Sequence, residues 1–236
     1  MQLFFAPNIN VGLYELSKEE ARHAVQVLRK KAGDVLDFVD GKGGWYQGVI
    51  STASKRSCLV EVEQLEQEEK RMPYRLTMLV SPTKSNDRFE WFLEKATEIG
   101  VDVIVPLKCQ RTERPRIRKD RYEKVLVSAM KQSLQAWLPK LEDFQTLNEF
   151  YKDFDGKQHS FVAWCEEDQQ NTLWDNYQAG KDVFVFIGPE GDFTNEEVQM
   201  IISNGGKPVS LGKNRLRTET AAIFATQTIS LLNFNK

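Results

Sequence analysis

The sequence predicts an α/β protein in two parts: a small N-terminal β-barrel over residues 1–72, and a C-terminal α/β domain over residues 73–236 with a mostly parallel sheet. Three observations lead there. Short strand-like runs surround a single helical stretch in the first seventy residues. Beyond Pro73 the order is strand, helix, strand, which favours parallel pairing. The stretch Val183–Ala221 reads as strand, tight turn, helix, strand, second tight turn and the start of a last helix.

In the first part, Leu3-Phe4-Phe5 is a short apolar strand. Ser17 and Glu20 have capping-box spacing, so a helix is expected from there to about Lys30. Ala21, Ala24, Val25 and Leu28 keep helical spacing, and Gly33 lies beyond its end. Val35–Val39 and Trp45–Ile50 read as strands flanking a glycine-rich hairpin connection, Asp40-Gly41-Lys42-Gly43-Gly44. Cys58–Val62 adds another strand. Arg22, Arg29, Lys30 and Lys31 can meet phosphates or simply face solvent. From Gln64 to Pro73 charge rises and apolar content falls, which places the domain boundary there.

In the second part, Tyr74–Val80 reads as a strand and residues from about Asp87 to Ile99 as a helix burying Phe89, Phe92, Leu93 and Ala96. Gly100 is its expected C-cap, and Val101–Leu107 the next strand. Residues 108–121 gather Lys108, Arg111, Arg114, Arg116, Arg118, Lys119 and Arg121 against only Glu113 and Asp120. Arginine forks suit phosphates, so Arg111, Arg114, Arg116 and Arg118 are candidate contacts to a nucleic-acid backbone, with a solvated loop as the alternative. A helix follows from about Asp120 to Ala136, then a strand, Phe161–Cys165, ending in Glu166-Glu167-Asp168.

Val183–Ile187 is a continuous run of β-formers, as in a strand buried on both faces. It stops at Gly188-Pro189-Glu190-Gly191, a rigid turn whose backbone a ligand can approach closely. Thr194 and Glu197 form a second capping box, so a helix begins at about Asn195; Gly205-Gly206 ends it. Pro208–Leu211 is a short strand, and Gly212 opens the loop Lys213–Arg217. Thr218 is the expected cap of an apolar last helix reaching about Asn233. Two glycine turns at the carboxyl ends of neighbouring strands make a crevice, where open α/β sheets hold ligands. On residues alone, ordinary loops and a phosphate cradle at the helix start stay open beside a cofactor site. Against the phosphate reading, no Gly-Lys-Ser/Thr follows, and Pro189 removes one N–H donor.

Ile187-Gly188-Pro189-Glu190-Gly191-Asp192-Phe193, followed by Leu211-Gly212-Lys213-Asn214-Arg215-Leu216-Arg217-Thr218-Glu219-Thr220-Ala221, resembles the paired signature of the RsmE family. These are 16S ribosomal RNA uridine-N3 methyltransferases of the SPOUT superfamily. His23–Arg29 with Gly33-Asp34, Lys84, Glu94–Val101 and Gln132-Ser133 fit the same pattern. Lys131, Gln135, Asp192 and Asn214 depart from the family's usual acid, arginine, glycine and arginine. The resemblance implies a PUA-like RNA-binding first domain and a SPOUT second domain with a C-terminal trefoil knot. It implies S-adenosylmethionine as cofactor, 16S rRNA in the small ribosomal subunit as partner, and a cytoplasmic homodimer. Cofactor contacts would come from Trp164, from Ile187, Gly188, Pro189, Glu190 and Gly191, and from Leu211, Gly212, Leu216, Arg217, Thr220 and Ala221. Arg217 is the expected catalytic cation, favouring the anion of uridine N3. Glu190 and Glu219 either accept the proton or pin the loops by bonding backbone N–H groups. The alternative is a non-catalytic RNA-binding or ribosome-assembly factor of the same fold.

Composition narrows the rest. A net charge of −2 excludes a uniformly basic binder, so any RNA site is a local patch. Three isolated cysteines and two histidines, with no CxxC, argue against a zinc site and suit a reducing compartment. Met1-Gln2-Leu3-Phe4-Phe5 lacks the form of a signal peptide, and no run has membrane-spanning length.

Overall fold

The computed structural model describes residues 2–54, 57–69, 72–113, 116–152, 154, 159–164 and 171–234. It divides into two compact units, Met1–Arg71 with Val127–Leu138, and Met72–Leu126 with Pro139–Lys236. The segment Val127–Leu138, which the sequence reading gave to the second domain, thus packs with the first. The fold class is as expected: a small β unit, and an α/β unit on a parallel sheet.

The first unit contains β1 (Leu3–Phe5), β2 (Gly12–Glu15), α1 (Lys18–Arg22), β3 (Val35–Val39), β4 (Gly44–Ala53) and β5 (Cys58–Gln67). Its sheet has the order β1-β3-β4-β5-β2, with β1 parallel to β3 and the other pairs antiparallel. Phe4, Phe38, Ile50, Val60 and Ala24 fill the core beneath it. The helix is shorter than its periodicity suggests. After Arg22 the backbone widens into a π-helical turn, His23–Val27, and Arg29 leaves it in the left-handed region at φ +58°. Only half of the first capping box forms. Ser17 Oγ accepts from Glu20 N at 3.2 Å, but the Glu20 carboxylate reaches Phe5 N at 3.4 Å and Lys131 Nζ at 2.7 Å instead.

That Lys131–Glu20 pair is largely shielded, with side-chain exposures of 19% and 15%. Removing one member of a shielded pair strands the other's charge. Lys131→Met is therefore expected to cost about 2 kcal/mol, and adding Glu20→Gln to recover most of it, as read by urea unfolding.

Next come β6 (Leu76–Val80), α2 (Asn86–Ile99), β7 (Val103–Lys108) and α3 (Lys119–Gln132). The last of these ends four residues before the expected Ala136. Leu134 stops it in the left-handed region at φ +53°, where Gln135 N closes on Met130 O at 3.1 Å. A Cβ is costly in that conformation, and this leucine is 45% exposed. Leu134→Gly is expected to raise stability by about 0.5–1 kcal/mol in the same assay.

The remaining elements are β8 (Lys140–Leu141), β9 (Gln145–Thr146), α4 (Leu147–Lys152), β10 (His159–Ala163), α5 (Leu173–Asn176), β11 (Val183–Ile187), α6 (Asn195–Ser203), β12 (Lys207–Val209) and α7 (Thr218–Asn233). The second unit's sheet has the order β12-β10-β11-β6-β7-β8, with β9 also on β7, and every pair is parallel. The strands preceding the two glycine turns are therefore not neighbours: β10 stands between β11 and β12. Phe150 and Tyr151 of α4 pack on Phe186, and the Phe89, Phe92 and Leu93 side chains of α2 are fully buried. Thr194 and Glu197 make the full capping box at α6. Thr218 is not the cap of α7. Arg217 holds that position, and the Thr218 hydroxyl instead donates to Gly188 O at 3.1 Å.

Among the described residues no helix is long and apolar enough to cross a membrane. None of their His, Cys, Asp and Glu side chains cluster to hold a metal. Cys58 and Cys109 are buried free thiols, and Cys165 and Glu166-Glu167-Asp168 lie outside the described residues.

Candidate cofactor site

The carboxyl ends of β10, β11 and β12 surround a cavity of about 650 Å³. Trp164 lines it from the first, Ile187–Glu190 and Asp192 from the second, and Leu211–Thr218 from the third. A cavity of this size and mixed lining suits a small organic ligand.

The second loop is held from several directions. Asp192 N donates to Pro189 O at 2.9 Å, closing the turn. Asp192 itself is left-handed at φ +64°, and its Oδ1 accepts from Phe193 N at 2.8 Å. Aspartate tolerates this geometry because its short side chain bonds the local backbone. At Gly188 a Cβ would stand 3.0 Å from Phe193 N, so the turn folds tightly on itself. Lys84 N donates to Glu190 Oε1 at 2.9 Å. Arg111 Nη1 donates to Gly191 O at 2.6 Å and to Phe193 O at 3.4 Å. Gln110 N donates to Glu197 Oε1 at 2.8 Å, beside the capping box. In the third loop, Ser210 Oγ both bonds Gly212 O and accepts from Gly212 N, each at 3.1 Å. Gly212 has φ +125° and nothing within 4 Å of where a Cβ would stand, so a ligand can lie against its main chain.

The structure brings Trp164, Ile187, Gly188, Pro189, Glu190, Leu211, Gly212, Leu216, Arg217 and Ala221 to one cavity wall. It does not bring Gly191, Glu219 or Thr220 there. Helical rotation explains the last two. Thr218 and Ala221 share the cavity face of α7, and the two residues between them turn away. Glu219 is 5% exposed, with Oε1 3.8 Å from Arg88 Nε and Oε2 buried without a hydrogen bond among the described residues. Gly191 meets the Arg111 stem instead. Ser210, Asp192, Lys213, Asn214 and Arg215 also line the cavity, although sequence reasoning gave them no cofactor contact.

The expected RNA contacts fall on both units. Arg22 and Arg29 are exposed on the first unit, and Arg116 and Arg118 on the second. Arg114 lies outside the described residues. Arg111 is committed to backbone carbonyls. The departures at Lys131 and Gln135 fall in the first unit and are not among the residues that line the cavity. Cys109 adjoins the Gln110–Glu197 bond, but burial first, and the Glu197 charge second, push its thiol up to about 12. It is no nucleophile at neutral pH.

Residues 70–230 match the family model described as an RNA methyltransferase domain, and residues 16–63 the RNA methyltransferase PUA domain. The chain is 26% identical over 232 residues to ribosomal RNA small subunit methyltransferase E of Bacillus subtilis, covering 92% of this chain and 89% of that one. This chain belongs to the RsmE family of RNA methyltransferases. Solved structures of similar chains agree. A probable rRNA-methyltransferase from Porphyromonas gingivalis superposes with a TM-score of 0.89 at 40% identity, covering 99% of both chains. A methyltransferase from Legionella pneumophila, solved with bound cofactor SAM, gives 0.86 at 26% identity, covering 98% of this chain and 97% of that one. The Neisseria gonorrhoeae ribosomal RNA small subunit methyltransferase E, bound to S-adenosyl methionine, gives 0.85 at 25%, covering 99% and 98%. As an RsmE-family chain, this one combines the expected PUA-like domain with the parallel α/β methyltransferase domain.

Proposed function

We propose that this chain methylates N3 of a uridine in 16S rRNA, acting on the small ribosomal subunit with S-adenosylmethionine as donor. The observation that carries the reading is the cavity at the carboxyl ends of the adjacent strands β12, β10 and β11. Its volume and its side-chain-free Gly212 backbone fit the cofactor's adenosine and methionine parts, and Trp164 offers an aromatic wall. When bound, the cofactor supplies an electrophilic methyl on a sulfonium. The protein's share is to hold the acceptor in line and make it nucleophilic.

Arg217 serves the second need. It lies on the cavity wall at the start of the 16-residue helix α7, where the guanidinium and the helix N-terminus both favour a uracil anion at N3. Glu190 pins the second loop through Lys84 N, and Glu219 braces α7 against Arg88; neither is assigned as the proton acceptor, and the N3 proton leaves to solvent water. Arg22, Arg29, Arg116 and Arg118 are the proposed phosphate contacts, with a cytoplasmic site of action following from the substrate. The C-terminal knot follows from membership of the family, and the order β12-β10-β11 is compatible with it. A homodimer is supported by α7. Its inner face buries Ala222, Ala225 and Ile229, while Phe224 and Leu231, and Phe234 just past its end, stay 40%, 61% and 78% exposed. Light scattering should return twice the chain mass.

Isothermal titration with S-adenosylmethionine tests the central claim. One site per chain is expected, with micromolar affinity. Incubation with small subunits should then yield 3-methyluridine, seen by mass spectrometry of the digested RNA. Absence of binding both with and without the small subunit would overturn the reading.

A further inference from the structure

We propose that Arg111 is a positioning residue of the cofactor turn, holding the backbone on both sides of the left-handed Asp192 and thereby the shape of the cavity wall. The inference rests on the cofactor reading of that cavity. It moves Arg111 out of the RNA-binding set, where its place in a basic cluster had put it.

The turn Gly188–Phe193 contains one residue whose backbone is disfavoured. Asp192 has φ +64°, a conformation in which a Cβ crowds its own carbonyl. A turn of this kind persists when its surroundings over-determine it. The surroundings come from a loop eighty residues earlier. Arg111 Nη1 donates to the carbonyl of the residue before Asp192, Gly191 O at 2.6 Å, and to that of the residue after it, Phe193 O at 3.4 Å. A guanidinium donor makes such bonds charge-assisted and stronger than neutral ones. The Arg111 stem packs on the same turn, with Cδ 3.3 Å from where a Cβ of Gly191 would stand. The neighbouring Gln110 N bonds Glu197 at 2.8 Å, so the loop is fastened at two consecutive residues. Asp192 in turn lines the cavity. Without Arg111 the position is free to relax toward right-handed backbone, which swings the peptide between Gly191 and Asp192 and deforms the wall.

The interaction is coupled to the identity of residue 192, and that coupling gives the test. In the whole chain, Arg111→Ala is expected to weaken S-adenosylmethionine binding about tenfold, the size of one lost charge-assisted bond. A glycine at 192 has no left-handed penalty to restrain. In an Asp192→Gly background, the same Arg111→Ala change is therefore expected to alter affinity by no more than about threefold. Two further readouts separate this role from a phosphate contact and from the cofactor reading. RNA affinity and its salt dependence should be the same with and without Arg111, whereas loss of a phosphate contact lowers the salt slope by about one. In the cofactor-free protein, hydrogen exchange of the Asp192 amide, bonded to Pro189 O, should quicken about tenfold in Arg111→Ala. An equal loss of cofactor affinity in both backgrounds, a reduced salt slope, or unchanged exchange at Asp192 would each overturn the proposal. If the unaltered protein binds no S-adenosylmethionine, the cofactor reading fails on its own, and the exchange rates still decide what Arg111 does.

Discussion

Arg217→Ala is expected to lower the rate of methyl transfer by about 10²–10³-fold, the range seen when one preorganised electrostatic group is removed from an active site. S-adenosylmethionine affinity should stay within about threefold, since a cation that acts on the acceptor base contributes chiefly to the transition state. The helix itself gives Arg217 no reason to be there. Its side chain makes no capping bond at α7. A positive charge at a helix N-terminus opposes the macrodipole, so truncation should leave folding unharmed or improve it by about a few tenths of a kcal/mol. A loss of activity therefore cannot be assigned to a damaged helix. Arg217→Lys separates charge from geometry. A lysine keeps the field and loses the planar fork, and so should retain part of the rate. Single-turnover transfer to small subunits at saturating cofactor is the measurement. An unchanged rate in Arg217→Ala would remove the catalytic assignment.

Gly43→Ala is expected to destabilise the first unit by about 3 kcal/mol, more than any other substitution considered. Gly43 has φ +90°, where an alanine is strained whatever the space. There is also no space: a Cβ would stand 2.6 Å from Glu68 O and 2.6 Å from Trp137 Cζ2. Backbone and a large ring cannot both give way. The same glycine donates to Ala136 O at 3.0 Å and accepts from Glu68 N at 2.9 Å, so it joins the hairpin connection to two other segments at once. Denaturant unfolding followed by Trp fluorescence reads the effect. A loss under about 1 kcal/mol would mean that the Asp40–Gly44 connection yields more readily than its contacts imply.

Local chemistry was legible in the sequence and long-range placement was not. The capping box of Thr194 and Glu197 formed because both partners lie within one turn and no other hydrogen bond among the described residues claims Glu197 Oε2. The matching pattern at Ser17 and Glu20 failed on its second half, since Phe5 and Lys131 claim the Glu20 carboxylate. Apolar spacing carried the first helix on to Lys30, but spacing does not register a π-turn or a left-handed Arg29. The two glycine turns announced a ligand crevice. The insertion of β10 between their strands is a property of sheet order, which no local pattern carries. Likewise the periodicity of residues 120–136 marks a helix without naming the unit against which its second half packs. Within the candidate site, wall residues from the two signatures were legible by type and spacing. Lys84 and Arg111 as loop fasteners were not, because their partners are main-chain or side-chain groups 106 and 80 residues away.

The parallel sheet also dictates when this domain can be completed. Strand β6 takes β11 as its parallel neighbour, with Leu76 opposite Val183 and Val80 opposite Ile187. A nascent chain that has released β6 and β7 therefore keeps one edge of β6 unpaired, with apolar side chains on both faces, until β11 has been made. Strand β12 can dock only after β10 is in place, so the cofactor loops are among the last parts to acquire their shape. Such high contact order slows folding relative to a hairpin-built unit. Stopped-flow refolding should show Trp45 of the first unit reaching native fluorescence before Trp164 beside the cavity does, each followed in a variant that keeps only that tryptophan. For this chain, competence to bind a cofactor arrives late in synthesis, when β12 and α7 close over a sheet begun about 130–140 residues earlier, on the order of ten seconds at ribosomal speed.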